Sequence, residues 1–506
     1  MQEDGEASAQ NEGWLDRLRA NRLIGALFAG GLLGGVRVIT GLIRVKYMAL
    51  TLGVTGIGLI SQGNQIFLVA VALCSLSMAV GLIHRLNQTT SDEQKRRLLS
   101  TTFTVQAGIS LVVITLSFPF ADTLSIWLMG EDAHPMYFIA VIFSVPFQVM
   151  ASSYFEGVFF GHHRYDLYIR ASVWSTITGL LVFLPAVGFY GLKGAFAAIT
   201  AGAFLCFAWF LWYGVRILPL RDLLQPGFDR SEFSALLRFS ATMLSTSLMT
   251  YGSLLLIRQQ VIQKLGVEEN GILQVPIALT SYYTPFLANG LWGHFHPTVS
   301  RQGPGEASAT ELIRTLGTIA LFATLAVFAL TLFQEWVVQL AWSRDFLPAT
   351  SLLPVWFAGD LFYFITFVFS IYFLGLGQVK TYVTGYLLYF LGICVVTFAG
   401  INHYGIAAYP YAYTATNLVF CLGLLLWLLA RCGQAAAGAA LIILGCGLLV
   451  GLHTGLMLGL PEQPLWRGLA PALLGLCLVF RMVRQHRTPG PDQSDGNPRP
   501  GNRRAG

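Results

Sequence analysis

Four cations, Arg37, Arg44, Lys46 and Arg258, lie inside or near the ends of long apolar runs of this chain. Each run otherwise has the length of a membrane-spanning helix, because about 20 residues are needed to cross a hydrocarbon core of ~30 Å. An ionised side chain at the centre of a bilayer costs roughly 2.5–3.5 kcal/mol. Such residues are expected where they face a wet cavity and contact an anion. The sequence therefore predicts a polytopic membrane protein with a cationic interior.

Composition and hydropathy predict an all-α chain that crosses the membrane many times. The 506 residues are 55% hydrophobic and 11% charged, whereas soluble domains usually carry about 25% charged residues. We predict fourteen spans, with approximate bounds 24–53, 64–84, 101–120, 136–158, 169–189, 194–214, 237–262, 271–296, 314–333, 351–376, 379–399, 405–430, 437–459 and 466–482.

The distribution of cations among the loops predicts the orientation. Of the 31 lysine and arginine residues, 23 fall on the side of the N-terminus, 4 fall on the opposite side, and the remaining four are the intramembrane cations. Cytoplasmic loops carry the excess of Lys and Arg, so both termini are expected in the cytoplasm. A reporter fused after Arg97 should therefore behave as cytoplasmic, and one fused near Asp132 should behave as periplasmic. Because the net charge of +6 lies on one membrane face, no nucleic-acid partner is expected.

A weak internal repeat predicts two related halves. The words Leu42-Ile43-Arg44 and Leu52-Gly53-Val54 of span 1 have counterparts in Leu256-Ile257-Arg258 and Leu265-Gly266-Val267 of span 7. Six spans separate them, which implies two parallel six-helix lobes related by an axis along the membrane normal. The expected organisation is an N-terminal segment (1–23), an N-lobe (24–214), a linker (215–236), a C-lobe (237–430), two extra helices (437–482) and a disordered tail (483–506).

Arginines are the candidate anion ligands. Arg37 and Arg44 are seven residues apart and therefore share one face of a helix, whereas Lys46 points nearly the opposite way. Arginine suits phosphate because its planar fork binds two oxygens at once. The alternatives are a structural ion pair or contact with backbone carbonyls for Arg37, Arg44 and Arg258, and snorkelling to the outer interface for Lys46.

Two carboxylates oppose these cations. Glu156 lies near the inner end of span 4, and Asp360 lies within span 10. Each would neutralise an arginine, carry a coupling proton or bind sodium, and these alternatives stay open at the level of sequence. One carboxylate at membrane depth in each half does not form a polyacidic cation pathway.

Prolines interrupt span 8, where Pro276, Pro285 and Pro297 mark helix breaks of the kind that bend, gate or line cavities. His294 and His296 are two residues apart and do not share a helix face, so no metal site is expected there. The spans also lack HExxH, GxSxG and Walker motifs. We therefore expect neither a cofactor nor an enzymatic activity.

Several short words resemble the Wzx-type translocases of O-antigen and lipid III in the MOP exporter superfamily. They are Leu52-Gly53-Val54-Thr55-Gly56-Ile57-Gly58-Leu59 after span 1, Gly161-His162-His163-Arg164-Tyr165-Asp166 after span 4, Pro297-Thr298-Val299-Ser300-Arg301 after span 8, Gly359-Asp360 in span 10, and His403-Tyr404-Gly405-Ile406-Ala407-Ala408 before span 12. The resemblance covers roughly residues 20–430. Spans 13 and 14 depart from it. A count of fourteen is also similar to the lipid II flippases of the same superfamily, so a lipid II-type flippase is an alternative and the glycan stays open.

The resemblance implies two lobes around a cationic cavity that rock to move an undecaprenyl-pyrophosphate-linked oligosaccharide from the cytoplasmic to the periplasmic leaflet of a bacterial inner membrane. Together with the positions of the charged residues in the spans, it leads us to predict that Arg37, Arg44, Arg258 and Arg301 bind the substrate. Asp360 and Glu156 are expected to serve coupling or ion pairing, and Pro285 and Pro297 to serve gating or to break the helix. Membrane lipids, and a polysaccharide polymerase with its chain-length regulator, are the expected partners.

Three other functions remain as alternatives. A cation-coupled exporter of cationic drugs on the same fold would need an acidic, aromatic cavity, whereas this chain carries more basic than acidic residues at depth. A membrane glycan polymerase or ligase would commonly carry a sizeable outer loop, and the predicted outer loops are short. A scaffold without transport activity would leave cations at depth in both halves unexplained.

Overall fold

The computed structural model describes residues 22–459 apart from Asp132, and within them the chain is helical with no strand. Its α-helices, in chain order, are α1 Arg22–Ser75, α2 Met78–Gln88, α3 Asp92–Ser117, α4 Ala121–Met129, α5 Pro135–Val149, α6 Glu156–Gly161, α7 Tyr165–Gly214, α8 Leu220–Leu223, α9 Arg230–Leu265, α10 Val267–Gly290, α11 His296–Gln302, α12 Glu306–Leu332, α13 Gln334–Ala341, α14 Leu353–Gly375, α15 Val379–Tyr404, α16 Ala408–Cys432 and α17 Gln434–Gly459. Two π-turns (Met150–Phe155 and Leu291–Phe295) and two 3₁₀ turns (Arg344–Ser351 and Gly405–Ala407) join some of them.

Nine helical stretches in the described part of the chain are long and apolar enough to cross a membrane. Three of them run for 50 to 55 residues and contain a glycine with positive φ: Gly53, Gly191 or Gly405. These findings confirm the predicted all-α polytopic class. The count of fourteen stays a prediction, because span 466–482 lies outside the described residues and span 8 is not among the nine stretches.

The glycines inside the longest stretches are points where the chain reverses direction. Trp209 Nε1 donates a hydrogen bond to Thr178 Oγ1 at 3.0 Å, although a straight helix would hold these residues ~45 Å apart. Gly191, between them, has φ 56° and ψ −133°, which residues with a Cβ rarely adopt. Spans 5 and 6 are therefore antiparallel helices joined by a tight turn.

The first reversal differs from the sequence prediction. Span 2 was expected to begin near residue 64, but the helix resumes directly after Gly53. One glycine with φ 65° and ψ −165° suffices for the turn, so no loop is needed between 54 and 63. That segment instead packs against the second half of the chain. The predicted outer loops also contain the short helices α4 and α13.

The predicted repeat appears as a reciprocal contact between the two halves. A Cβ added to Gly58 would lie 2.2 Å from the carbonyl oxygen of Val267, and one added to Gly271 would lie 2.2 Å from that of Val54. Both glycines follow a positive-φ glycine, Gly53 or Gly266, by five residues. The two contacts exchange when one half is laid over the other, as in a two-fold symmetric interface.

A second pair of turns extends the repeat. Gly191 and Gly405, which are 214 positions apart (405 minus 191), have nearly the same backbone angles, with ψ of −133° and −135°. The same shift relates Gly161 to Gly375. A Cβ added to Gly161 would meet the side chain of Leu86, and a Cβ added to Gly375 would meet the side chain of Val299. The halves thus share their helix packing as well as their turns.

Close glycine packing suits a membrane environment. Lipid tails are as apolar as leucine, so helices associate there through van der Waals contact rather than a hydrophobic driving force, and small residues let backbones approach. Large apolar side chains can instead remain exposed on the outside of the protein, as Phe189 and Leu448 do with 83% and 75% of their surfaces. The halves therefore associate through close van der Waals packing at Gly58 and Gly271.

We predict that Gly58→Ala and Gly271→Ala each lower the thermal unfolding temperature of the purified protein. The added Cβ would overlap a backbone oxygen, and overpacking of this kind costs about 1–3 kcal/mol. Gly108→Ala is the matched control, because a Cβ at Gly108 meets nothing within 4 Å. Equal unfolding temperatures for all three variants would contradict the proposed role of the glycine contacts.

Candidate functional site

A polar cavity of about 410 Å³ lies in the first half of the chain. We call it the first-half cavity. Its lining includes the cations Arg37 and Arg44 and the carboxylate Glu156. The other polar residues of its wall are Thr40, Asn64, Gln148, Ser152, Tyr168, Ser172, Ser175 and Thr176.

Arg37 and Arg44 present exposed side chains to this cavity from one face of α1. No ion pair within 4.0 Å joins either of them to a carboxylate in the part of the chain that the structure describes. The guanidinium carbon of Arg44 lies 4.5 Å from the centre of the Phe183 ring, a cation–π contact that orients the group without using its N–H donors. Both cations can therefore bind an anion.

Glu156 enters the same cavity directly after a π-turn. The turn Met150–Phe155 inserts one residue relative to an α-helix, and such insertions change the direction in which the following side chains point. Glu156 is half-buried in the wall that Arg37 also lines. Glu156 and Arg37 thus line the same cavity, as a carboxylate and a cation predicted to oppose each other, but they do not form a direct ion pair.

The second half contains a cavity of about 420 Å³ with different chemistry, which we call the second-half cavity. Aromatic rings dominate its wall: Tyr363, Phe367, Phe369, Phe373, Tyr382, Tyr386, Tyr389, Phe390, Phe420 and Trp427. Arg431, stacked at 5.6 Å over the ring of Trp427, is the one cation of its described lining. The sequence analysis did not identify this site.

The two cavities occupy corresponding positions in the repeat. A shift of 214 positions, the difference between Gly405 and Gly191, carries eight residues of the first wall onto eight of the second. These pairs are Ser152 and Thr366, Glu156 and Ser370, Tyr168 and Tyr382, Ser172 and Tyr386, Ser175 and Tyr389, Thr176 and Phe390, Cys206 and Phe420, and Phe210 and Leu424. The shift between Gly53 and Gly266, 213 positions, likewise pairs Arg37 with Thr250.

Arg258 lies in neither cavity. Its side chain is 2% exposed and donates to Ser61 Oγ and Asn270 Oδ1, both at 2.9 Å, and to Gln274. Ser61 belongs to the first half and the other two partners to the second. Arg258 therefore joins the halves through neutral acceptors, and its predicted contact with substrate stays a prediction for a different conformation.

A one-residue difference explains why Arg44 and Arg258 point to different places. Arg44 precedes the turn glycine Gly53 by nine residues, whereas Arg258 precedes Gly266 by eight. One residue rotates a side chain by about 100° around a helix axis. The position that matches Arg44 is consequently Ile257, which is buried.

Other contacts between the halves lie at the same end, which the loop charges predict to be periplasmic. Lys46 Nζ donates to the carbonyl oxygens of Gln339 at 2.7 Å and Trp342 at 2.5 Å. Asn270 Nδ2 donates to the carbonyl oxygen of Gly58 at 2.7 Å. This end of the interface is therefore closed by direct polar contacts.

Asp360 is buried within the second half. It is 1% exposed and accepts hydrogen bonds from Thr280 Oγ1 at 2.9 Å, from Tyr413 OH at 2.8 Å and from Tyr283. These hydroxyls come from α10 and α16, so the carboxylate ties three helices together. Hydroxyl groups donate or accept, and the network can accommodate either protonation state of the carboxyl group.

The remaining predicted site residues lie at the far end of span 8. The π-turn Leu291–Phe295 falls between Pro285 and Pro297, so the helix is irregular where a break was expected. Arg301 is exposed near the end of α11 and lines neither cavity. Within residues 22–459, apart from Asp132, no group of three His, Cys, Asp or Glu residues is placed to hold a metal ion.

Residues 64–351 match the family model described as polysaccharide biosynthesis protein. The lipid III flippases of Escherichia coli (strain K12) and Shigella flexneri are each 21% identical over 399 residues, which cover 78% of this chain and 95% of theirs. Among solved structures, the lipid II flippase MurJ in an inward closed conformation has a TM-score of 0.66 at 15% identity and covers 92% of this chain and 98% of its own. An inward-facing MATE multidrug transporter of the MOP superfamily has a TM-score of 0.63 at 15% identity, with 79% and 95% covered.

We predict that Arg258→Met destabilises the protein more than Arg44→Met. Removing the guanidinium of Arg258 leaves the buried acceptor of Asn270 unsatisfied, at a cost of about 1–3 kcal/mol, and also removes the bond to the half-buried Gln274. Arg44 faces an open cavity, so its replacement leaves no buried partner. Thermal unfolding of the two purified variants measures the difference. An unfolding temperature lowered equally in both would show that Arg258 does not hold the halves together.

Proposed function

This chain belongs to the polysaccharide biosynthesis protein family, and from that premise we propose that it is a flippase for an undecaprenyl-pyrophosphate-linked oligosaccharide, such as an O-antigen repeat unit. The flippase would move the substrate from the cytoplasmic to the periplasmic leaflet. Two six-helix lobes, 24–214 and 237–430, would provide alternating access to it. The relatives and solved structures named above are flippases and transporters rather than enzymes.

One observation carries the proposal: Arg37 and Arg44 line a polar cavity of about 410 Å³, and among the described residues no carboxylate forms an ion pair with either of them. Cations held at membrane depth are costly unless an anion or water solvates them. A pyrophosphate carries the opposite charge on oxygens that guanidinium groups bind in pairs. The cavity would therefore replace the hydration that the headgroup loses when it leaves water.

Contacts join the halves at both ends in this structure, and at the predicted cytoplasmic end Arg85 forms a salt bridge with Glu232 at 2.8 Å. The bonds of Lys46 and Arg258 hold the predicted periplasmic end closed. Outward opening would require these bonds to break, which would free Arg258 to contact the substrate as the sequence predicts. Alternating access would then need only a rocking of one lobe against the other.

Asp360 and Glu156 would serve coupling rather than substrate binding. Asp360 is enclosed by three hydroxyl donors, and Glu156 shares a cavity with Arg37. A proton or sodium ion bound at either carboxylate would change the charge balance of its half. Both roles are part of the proposal, as are the inner-membrane location, the cytoplasmic termini, and the polymerase and chain-length regulator as partners.

An exporter of cationic drugs is the second candidate, and the aromatic second-half cavity is the observation that favours it. Such a site would also need a carboxylate to face the cation. None of the described lining residues of that cavity is acidic, and Asp360 is not among them. A flippase function accounts for the lining of both cavities better than export of cationic drugs does.

We predict that Arg44→Ala reduces surface polysaccharide at least tenfold in a strain that lacks the native protein, and that Arg44→Lys retains part of the export. Charged hydrogen bonds contribute about 1.5–3 kcal/mol, and lysine cannot form the forked contact. Export is measured by immunoblotting of surface glycan at matched membrane levels. Arg344→Ala, which removes an exposed cation outside both cavities, serves as the control. Normal export from an Arg37→Ala, Arg44→Ala double variant would refute the cationic-cavity mechanism.

We also predict that Asp360→Asn impairs export while the protein keeps its membrane level. Asparagine matches the carboxylate in shape, and the surrounding hydroxyls can reorient to bond its amide, so the main change is the loss of charge. Tyr413→Phe, which removes one of the three donors but keeps the carboxylate, is the companion variant and should export more than Asp360→Asn. Full export from Asp360→Asn would exclude this residue from any ion relay.

A further inference from the structure

Several matching positions in the two cavities carry different chemistry. Where the first wall has Ser172 and Ser175, the second has Tyr386 and Tyr389, and where the first has Glu156, the second has Ser370. Arg37 corresponds to Thr250. The second half has thus kept the cavity while replacing its charged and small residues with neutral and aromatic ones. A cavity retained with changed lining indicates a site that binds a different chemical group.

The lining of the second-half cavity combines ring faces with hydrogen-bonding groups. Tyr382, Tyr386 and Tyr389 lie on α15 at spacings of four and three residues, so their side chains form a stripe along one helix face. Thr366, Ser370, Gln378 and Thr381 add hydroxyl and amide groups to the same wall. Aromatic faces carry partial negative charge and attract the C–H groups on the flat side of a sugar ring, while the polar groups match its hydroxyls.

We propose that the second-half cavity binds the saccharide of the lipid-linked substrate while the first-half cavity binds its pyrophosphate. This inference rests on the proposed flippase function. It divides one substrate between the two halves: the anionic linkage lies against Arg37 and Arg44, and the neutral sugar lies against Tyr386 and Tyr389. A substrate that touches both halves links its own binding to their relative movement.

The isoprenoid tail is a poorer match for this cavity. A separate groove of about 390 Å³ between α14, α16 and α17 is lined almost wholly by aliphatic and small residues, including Leu418, Leu422, Leu444 and Leu448. Leu448 is largely exposed on the outer surface of the protein. A hydrocarbon chain gains nothing from the hydroxyl and amide groups of the second-half cavity, whereas a sugar satisfies them.

Binding of two probes to the purified full-length protein, measured by native mass spectrometry, tests the inference. The probes are undecaprenyl pyrophosphate and the lipid-linked repeat unit extracted from the source bacterium. Tyr386→Ala should weaken binding of the lipid-linked repeat unit about tenfold and leave that of undecaprenyl pyrophosphate unchanged. Tyr386→Phe should change both affinities little, because it keeps the ring. Arg44→Ala should weaken both probes.

Two further variants distinguish loss of the saccharide site from misfolding of the protein. Tyr411→Ala removes an exposed tyrosine outside the cavity and should bind both probes normally. Ser370→Trp fills the cavity without deleting a packed ring and should block the lipid-linked repeat unit selectively. Equal loss of both probes in Tyr386→Ala and Ser370→Trp, or no loss of either, would overturn the saccharide assignment. Failure of the unsubstituted protein to bind either probe would instead reject the proposed function.

Discussion

The reciprocal contact of Gly58 with Val267 and of Gly271 with Val54 fixes how the two halves of this protein meet. In a bilayer the halves gain no hydrophobic free energy from associating, so close backbone packing has to hold them. The buried Arg258 strengthens the same region with hydrogen bonds to both halves. Further contacts join the halves at the opposite end, where Arg85 forms a salt bridge with Glu232 at 2.8 Å. Each half has its own cavity.

The repeat accounts for a cavity in each half, whereas the side chains that line the two cavities differ. Shared turns give each half the same helix packing, so a cavity in one implies a cavity in the other. The lining is not constrained in this way, and it has become cationic in one half and aromatic in the other. A lipid-linked sugar pyrophosphate presents the same two chemistries joined by one covalent linkage. The asymmetry of the protein thus corresponds to the asymmetry of its proposed substrate.

Helical periodicity was enough to place Arg37 and Arg44 on one face, because a spacing of seven is nearly two turns. It was not enough for Arg258, whose distance from the turn glycine differs by one residue and directs the side chain into the interface. The stripe that includes Tyr382, Tyr386 and Tyr389 was visible in the sequence. Aromatic residues at helical spacing usually pack in a core, and only the fold shows that this stripe faces a cavity.

A cryo-EM structure of the protein in lipid nanodiscs with its lipid-linked oligosaccharide would test the central claim most directly. The account predicts phosphate density within hydrogen-bonding distance of Arg37 or Arg44. Sugar density should lie against the ring faces of Tyr386 and Tyr389. Phosphate density in the second-half cavity, or a substrate bound only at the outer surface of the protein, would contradict the division of the substrate between the two halves.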